Sequence, residues 1–116
     1  VILMREARII LPKLDNNGND LAFAHAALAR DLCQAFGGAT ACDTRGMWVG
    51  YDGTLYDEPG TAYDVAMDAT EENARALRNL AVRYGQLCGQ EAMYVRYACG
   101  KVEIVDTRHE AATAVA

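Results

Sequence analysis

The sequence predicts an α+β domain of the ferredoxin-like split β-α-β class: an antiparallel sheet with two helices on one face, in the order β-α-β-β-α-β, with room for an extra terminal strand. Three observations predict it. Two stretches, Leu21 to Phe36 and Ala74 to Cys88, carry apolar residues at helical spacing. The segments around them are short and β-like, with the cleanest two-residue alternation from Thr61 to Met67. Turn chemistry separates the pieces, as in Asp15-Asn16-Asn17-Gly18-Asn19-Asp20, Gly37-Gly38 and Tyr51-Asp52-Gly53-Thr54.

Taken in order, Arg8 to Pro12 reads as a short strand. Pro12 has no amide hydrogen to donate, which suits a strand end or edge. The Asx-rich run that follows is a turn, and Asn19 or Asp20 can cap the next helix. In that helix Leu21, Leu28, Leu32 and Phe36 form one stripe, alanines favour the helical state, and Gly37-Gly38 ends it. Ala39 to Val49 reads as a strand in which Asp43 to Gly46 are expected to bulge or turn. After the Asp-Gly turn, Thr61, Tyr63, Val65 and Met67 point one way, and Ala62, Asp64 and Ala66 the other. Asp68 or Thr70 can cap a second helix, with Glu71 and Glu72 favourable in its first turn and Gly85 or Gly89 marking its end. Ala92 to Ala98 and Val102 to Val105 complete the order as a hairpin about Cys99-Gly100-Lys101. The expected core is Ile9, Leu11, Leu28, Leu32, Phe36, Tyr63, Val65, Leu77, Leu80, Met93 and Val95.

The 116 residues fit a single domain over 1–116, with a core over about 8–106 and a tail from Thr107 onward that reads as frayed. A content of 52% hydrophobic and 23% charged residues is that of a globular chain rather than a disordered one. The 16 acidic and 11 basic residues leave a net charge of −5, which disfavours a nucleic-acid partner. The one arginine cluster, Arg75, Arg78 and Arg83, is diluted by Glu71 and Glu72. The opening Val1-Ile2-Leu3-Met4-Arg5 is too short for a signal-peptide core, and no apolar run reaches about 18 residues. A cytoplasmic protein without a membrane span is expected. Cys33, Cys42, Cys88 and Cys99 show no C-x-x-C spacing and have only two histidines as co-ligands, so no metal, no cofactor and reduced thiols are expected.

Few residues carry chemistry. His25 lies four after Leu21 and three before Leu28, close to the apolar stripe, where an imidazole could serve as acid or base. The plainer reading, a flank histidine bonded to a neighbouring carboxylate or carbonyl, is favoured, because no Ser or Cys partner is placed by the sequence. Gly37-Gly38 follows a helix, whereas phosphate loops precede one, so it reads as a cap. The Asp15 to Asp20 run lacks the distal Glu of a calcium loop. Trp48, Tyr51, Tyr56 and Tyr63, with Asp57 and Glu58 among them, are balanced between a ligand or partner surface and ordinary cross-strand pairs. Arg8, Asp64, Tyr94 and Arg96 share the sheet face away from the helices with Ile10, Ala62, Ala66 and Ala92. A mixed face of that kind suits a dimer or a ligand as well as plain solvation.

Phe36-Gly37-Gly38-Ala39-Thr40, Gly46-Met47-Trp48, Asp52-Gly53, Glu58-Pro59 and Gly89-Gln90-Glu91-Ala92-Met93-Tyr94-Val95 resemble a family of small bacterial and phage proteins. Its members share a GG-x-T, G-x-W and E middle and a GQE before the last strands. The resemblance spans about residues 8 to 106 and implies the same order of elements. It implies no chemistry.

The leading functional expectation is a binding or regulatory protein, homo-oligomeric through the open sheet face. Its site would comprise Trp48, Glu58, Tyr63, Gln90 and Arg8. A small enzyme of lyase, isomerase or hydrolase type, with His25 as acid or base, is the alternative. By analogy of size alone, a phage inhibitor of a host defence factor is a third.

Overall fold

The computed structural model describes residues 2–108. The elements are β1 (Arg5–Pro12), α1 (Ala22–Phe36), β2 (Thr40–Val49), β3 (Leu55–Met67), α2 (Glu71–Leu87), β4 (Ala92–Arg96) and β5 (Val102–Asp106). The strands form one five-stranded sheet in the order β2-β3-β1-β4-β5, every neighbouring pair antiparallel. β3 lies between β1 and β2, which is the split β-α-β arrangement. β5 continues the sheet beyond β4 as the second arm of a hairpin.

Alternation decides which side of the sheet is covered. Ala7, Ile9 and Leu11 of β1, Tyr63, Val65 and Met67 of β3, Met93 and Val95 of β4 and Val105 of β5 are all buried in one cluster. Leu28 and Leu32 of α1 and Leu77, Leu80, Ala81 and Tyr84 of α2 close over them. The expected core is therefore in place, except that Phe36, at the last residue of α1, is only partly buried against it. The opposite face carries Arg8, Ile10, Asp64, Tyr94 and Arg96, and among the described residues no helix lies over it.

Local chemistry sets the helix ends. Asp20 Oδ1 accepts from the Ala22 amide at 2.5 Å and so tends the start of α1, although the capping position itself is Leu21. Gly37 closes α1 in the left-handed region at φ 94°, its amide donating to the Cys33 carbonyl. Thr70 caps α2, its hydroxyl accepting from Asn73 N at 3.1 Å.

Several boundaries differ from expectation for identifiable reasons. β3 begins at Leu55 rather than Thr61, despite Pro59 and Gly60. The Pro59 carbonyl accepts from Lys13 N, so its missing amide faces the β1 side, where the β1–β3 register has already ended at Pro12 and Gly60. Asp43 to Gly46 do not bulge: β2 pairs with β3 in unbroken register from Thr40 opposite Asp64 to Val49 opposite Leu55. β1 reaches back to Arg5, and α2 runs through Gly85 to Leu87. Thr107, expected to be frayed, is 1% exposed. Its amide donates to the Glu91 carbonyl, its hydroxyl to the Gln90 carbonyl, and its own carbonyl accepts from Gln86 Nε2. The expectation for residues 109–116 lies outside the described residues. Among the described residues, no helix is long and apolar enough to cross a membrane.

Candidate functional site

The chain leaves β1 at Pro12 and enters α1 through a loop whose backbone is held from several sides. Lys13 N donates to the Pro59 carbonyl at 3.0 Å, and Leu21 N donates to the Lys13 carbonyl at 3.0 Å. Within the loop, Asp15 Oδ1 accepts from the Asn17 and Asn19 amides, and its carboxyl is held below the usual range by its bonds to Asn19. The Asp15 to Asp20 run thus serves as the turn the sequence predicts.

One turn into α1, His25 reaches back to the sheet. Its Nε2 lies 2.8 Å from the Pro12 carbonyl and its Nδ1 2.6 Å from the Tyr63 hydroxyl. A carbonyl can only accept, so in the neutral ring Nε2 carries the hydrogen and Nδ1 accepts from Tyr63. The plain reading of His25, a histidine bonded to a carbonyl, describes its Nε2. The bond to Tyr63 is one that only the packing of α1 on β3 could create. Burial raises the Tyr63 hydroxyl above its ordinary pKa, so it remains a donor at neutral pH.

An open cavity of about 460 Å³ lies beside this pair. Leu14, Ala22 and Pro59 give it apolar wall, while Asp20, Thr61 and Lys13 give it polar groups. Asp43 stands opposite Thr61 across the β2–β3 ladder, and its Oδ1 is 2.6 Å from Lys13 Nζ. The Lys13 ammonium holds the Asp43 carboxyl below its usual range. Among the described residues no group of three or more His, Cys, Asp or Glu side chains could hold a metal ion.

The other residues singled out from the sequence fall elsewhere. Arg8 is on the uncovered sheet face in a two-pronged bond to Asp64, at 2.6 and 2.9 Å. That bond raises the guanidinium pKa and lowers that of the carboxyl. Trp48 sits directly opposite Tyr56 in the hairpin, with ring centroids 4.3 Å apart and planes at 15°. Two residues along β3 from Tyr56, Glu58 shares that face and is half-buried. Gln90 lies at the corner between α2 and β4, where its carbonyl accepts from Thr107 and its amide donates to Gly85. His25 and Tyr63 are therefore together, Trp48 and Glu58 are together on the other side of the sheet, and Arg8 and Gln90 belong to separate networks. Lys13, Asp20, Asp43 and Thr61 carried no signal as a group. Lys13 and Asp20 lie in the β1–α1 corner, and Asp43 and Thr61 come beside them only because β2 and β3 fold next to it.

No family model matches the chain, and no curated protein matches it. Two solved structures share its fold. A phage SAM lyase in complex with S-methyl-5′-thioadenosine has a TM-score of 0.70 at 14% identity, covering 93% of each chain. A phage SAM lyase in the apo state has a TM-score of 0.65 at 14% identity, covering 91% of each chain.

Proposed function

We propose that this protein is a small lyase that cleaves S-adenosylmethionine, with the cavity beside His25 and Tyr63 as its reaction site. The observation that carries the reading is that the fold match is coextensive: 93% of this chain lies on 93% of a phage SAM lyase. Nothing larger than a short segment of either chain falls outside it. A shared fold alone permits many chemistries. Here it is joined by a cavity of about 460 Å³, within the range of about 300–1,000 Å³ usual for small-molecule sites.

The chemistry asks little of the protein. The sulfonium of S-adenosylmethionine is a built-in leaving group. When the bond from sulfur to Cγ of the amino-acid chain breaks, its electron pair neutralises the sulfur and releases S-methyl-5′-thioadenosine. If the substrate's own carboxylate oxygen forms the new bond to Cγ, the other product is a lactone and no proton moves. If a Cβ proton is removed instead, an alkene forms and a base is needed. His25 already uses Nδ1 to accept from Tyr63, so it acts through the Tyr63 hydroxyl, orienting it at the cavity wall. The internal displacement therefore suits these residues better, with substrate folding as the protein's main contribution.

The test is to incubate the purified protein with S-adenosylmethionine and separate the products by chromatography. S-methyl-5′-thioadenosine together with homoserine lactone is the expected result, and an unchanged substrate refutes the reading. A binding or regulatory role is the second reading. It is supported by the stacked Trp48–Tyr56 pair on the uncovered face, where Trp48 remains 50% exposed. On its other face the same hairpin exposes Met47, Val49 and Leu55, an apolar surface that a second copy would cover in a homo-oligomer. Saturable binding of S-adenosylmethionine without product supports this second reading. The four free thiols and the substrate class fit a cytoplasmic setting.

A further inference from the structure

The mouth of the cavity carries an ion pair whose two ends belong to different elements. Lys13 leaves the end of β1, and Asp43 stands on β2 beside the cavity-lining Thr61. Lys13 is the one lysine or arginine among the described cavity-lining residues. Its backbone is fixed by hydrogen bonds at both its amide and its carbonyl. The side chains are another matter: that of Lys13 is 40% exposed and that of Asp43 is 85% exposed. A pair so open to water contributes little to stability and is easily opened. Asp20, at the start of α1, adds a second carboxylate on the cavity wall.

A ligand that opens this pair must replace both charges or leave one without its partner. A carboxylate alone would satisfy Lys13 and be repelled by Asp43 and Asp20. An amine alone would satisfy the carboxylates and face Lys13. A group carrying an ammonium and a carboxylate on one carbon restores both contacts at once. We propose that Lys13 and Asp43 bind the zwitterionic α-amino-acid head of the ligand, the carboxylate going to Lys13 and the ammonium to Asp43. The inference rests on the lyase reading only for the nucleoside end of the ligand. For that reading it adds a purpose: a head held at both charges is a carboxylate positioned for its attack on Cγ.

The test uses two thioether nucleosides that differ in this head and are not sulfonium substrates. S-adenosylhomocysteine carries the amino-acid head, and S-methyl-5′-thioadenosine lacks it. Calorimetric titration of the wild-type protein should show S-adenosylhomocysteine bound at least tenfold more tightly. Lys13→Met and Asp43→Asn should each remove most of that preference while leaving S-methyl-5′-thioadenosine within about twofold of wild type. Lys13→Arg should retain it. Both positions are exposed, and circular dichroism melts of each variant verify folding. Equal affinities for the two nucleosides in the wild type, no binding of S-adenosylhomocysteine, or an undiminished preference in both variants would overturn the proposal. A preserved head preference in a protein that forms no product from S-adenosylmethionine would remove the lyase reading and leave this site in place.

Discussion

Gly85→Ala tests how the end of the chain is locked onto α2. Gly85 lies inside that helix, where exchange to alanine on an open surface would gain about 1 kcal/mol. Here an added Cβ would sit 2.5 Å from Thr107 Cγ2 and 2.9 Å from Met93 Cγ. The methionine stem can give way. Thr107 cannot easily do so, because hydrogen bonds to Glu91, Gln90 and Gln86 hold its amide, hydroxyl and carbonyl. Overpacking of this kind costs about 1–3 kcal/mol. Set against the helix gain, the net loss should be up to about 2 kcal/mol, a fall in Tm of up to roughly 10 °C. Thr107→Ser removes the obstructing methyl and keeps the hydroxyl, losing about 1 kcal/mol of burial on its own. The double variant exchanges one methyl for another and should return to within about 0.5 kcal/mol of wild type, a coupling that urea denaturation measures directly. A rise in stability for Gly85→Ala, or a double variant no better than the sum of the singles, would refute the argument that Thr107 is docked.

Three further outcomes are expected. Trp48→Ala should cost about 1–3 kcal/mol, from its stack on Tyr56 and the half of its surface that is buried, against about 3–5 kcal/mol for a fully buried tryptophan. Paired with Glu58→Gln, it should impair ligand or partner binding more than stability. A large stability loss for Trp48→Ala with binding intact in Glu58→Gln would make this hairpin ordinary framework. Asp64→Asn should cost about 1.5–3 kcal/mol near neutral pH, by leaving Arg8 without its carboxylate. The folded-state pKa of Asp64 lies below its ordinary value, so the stabilisation is present above that ordinary value, about 4, and is lost as pH falls through the lowered one. Urea midpoints between pH 6 and 2 should therefore fall more steeply in the wild type than in the variant, and parallel curves would refute the linkage. Light scattering at micromolar concentration should give a mass well above the 12.6 kDa of one chain, and a value at 12.6 kDa would exclude the homo-oligomer.

How far a feature was legible depended on how locally its cause lies. The α1 stripe, the Gly37 cap, the Thr70 cap and the alternation of Thr61 to Met67 are each set by residues within a few positions of one another. From these the order of elements and nearly all of the core followed, and with them the split β-α-β class. The distal half of β3 was hidden because Pro59 is compatible with a strand only where β1 has ended, a condition set by another element. Thr107 reads as tail until Gly85 leaves a space for its methyl group.

The candidate site divides in the same way. Helical spacing placed His25 near the apolar stripe, but its partners Tyr63 and Pro12 come from strands 38 and 13 residues away. The proximity of Lys13 to Asp43, 30 residues on, depends on the register of β2 with β3 and of β3 with β1. Periodicity reports which side of an element faces the core, because burial acts on each residue through its own segment. It carries no information on which exposed charges meet across a cavity mouth, because an exposed pair contributes too little to folding to leave a pattern in the chain. The sequence by itself thus determined the elements and their buried faces, and only the tertiary structure decided that Lys13, Asp20, His25 and Tyr63 line one cavity, with Asp43 paired to Lys13 beside it.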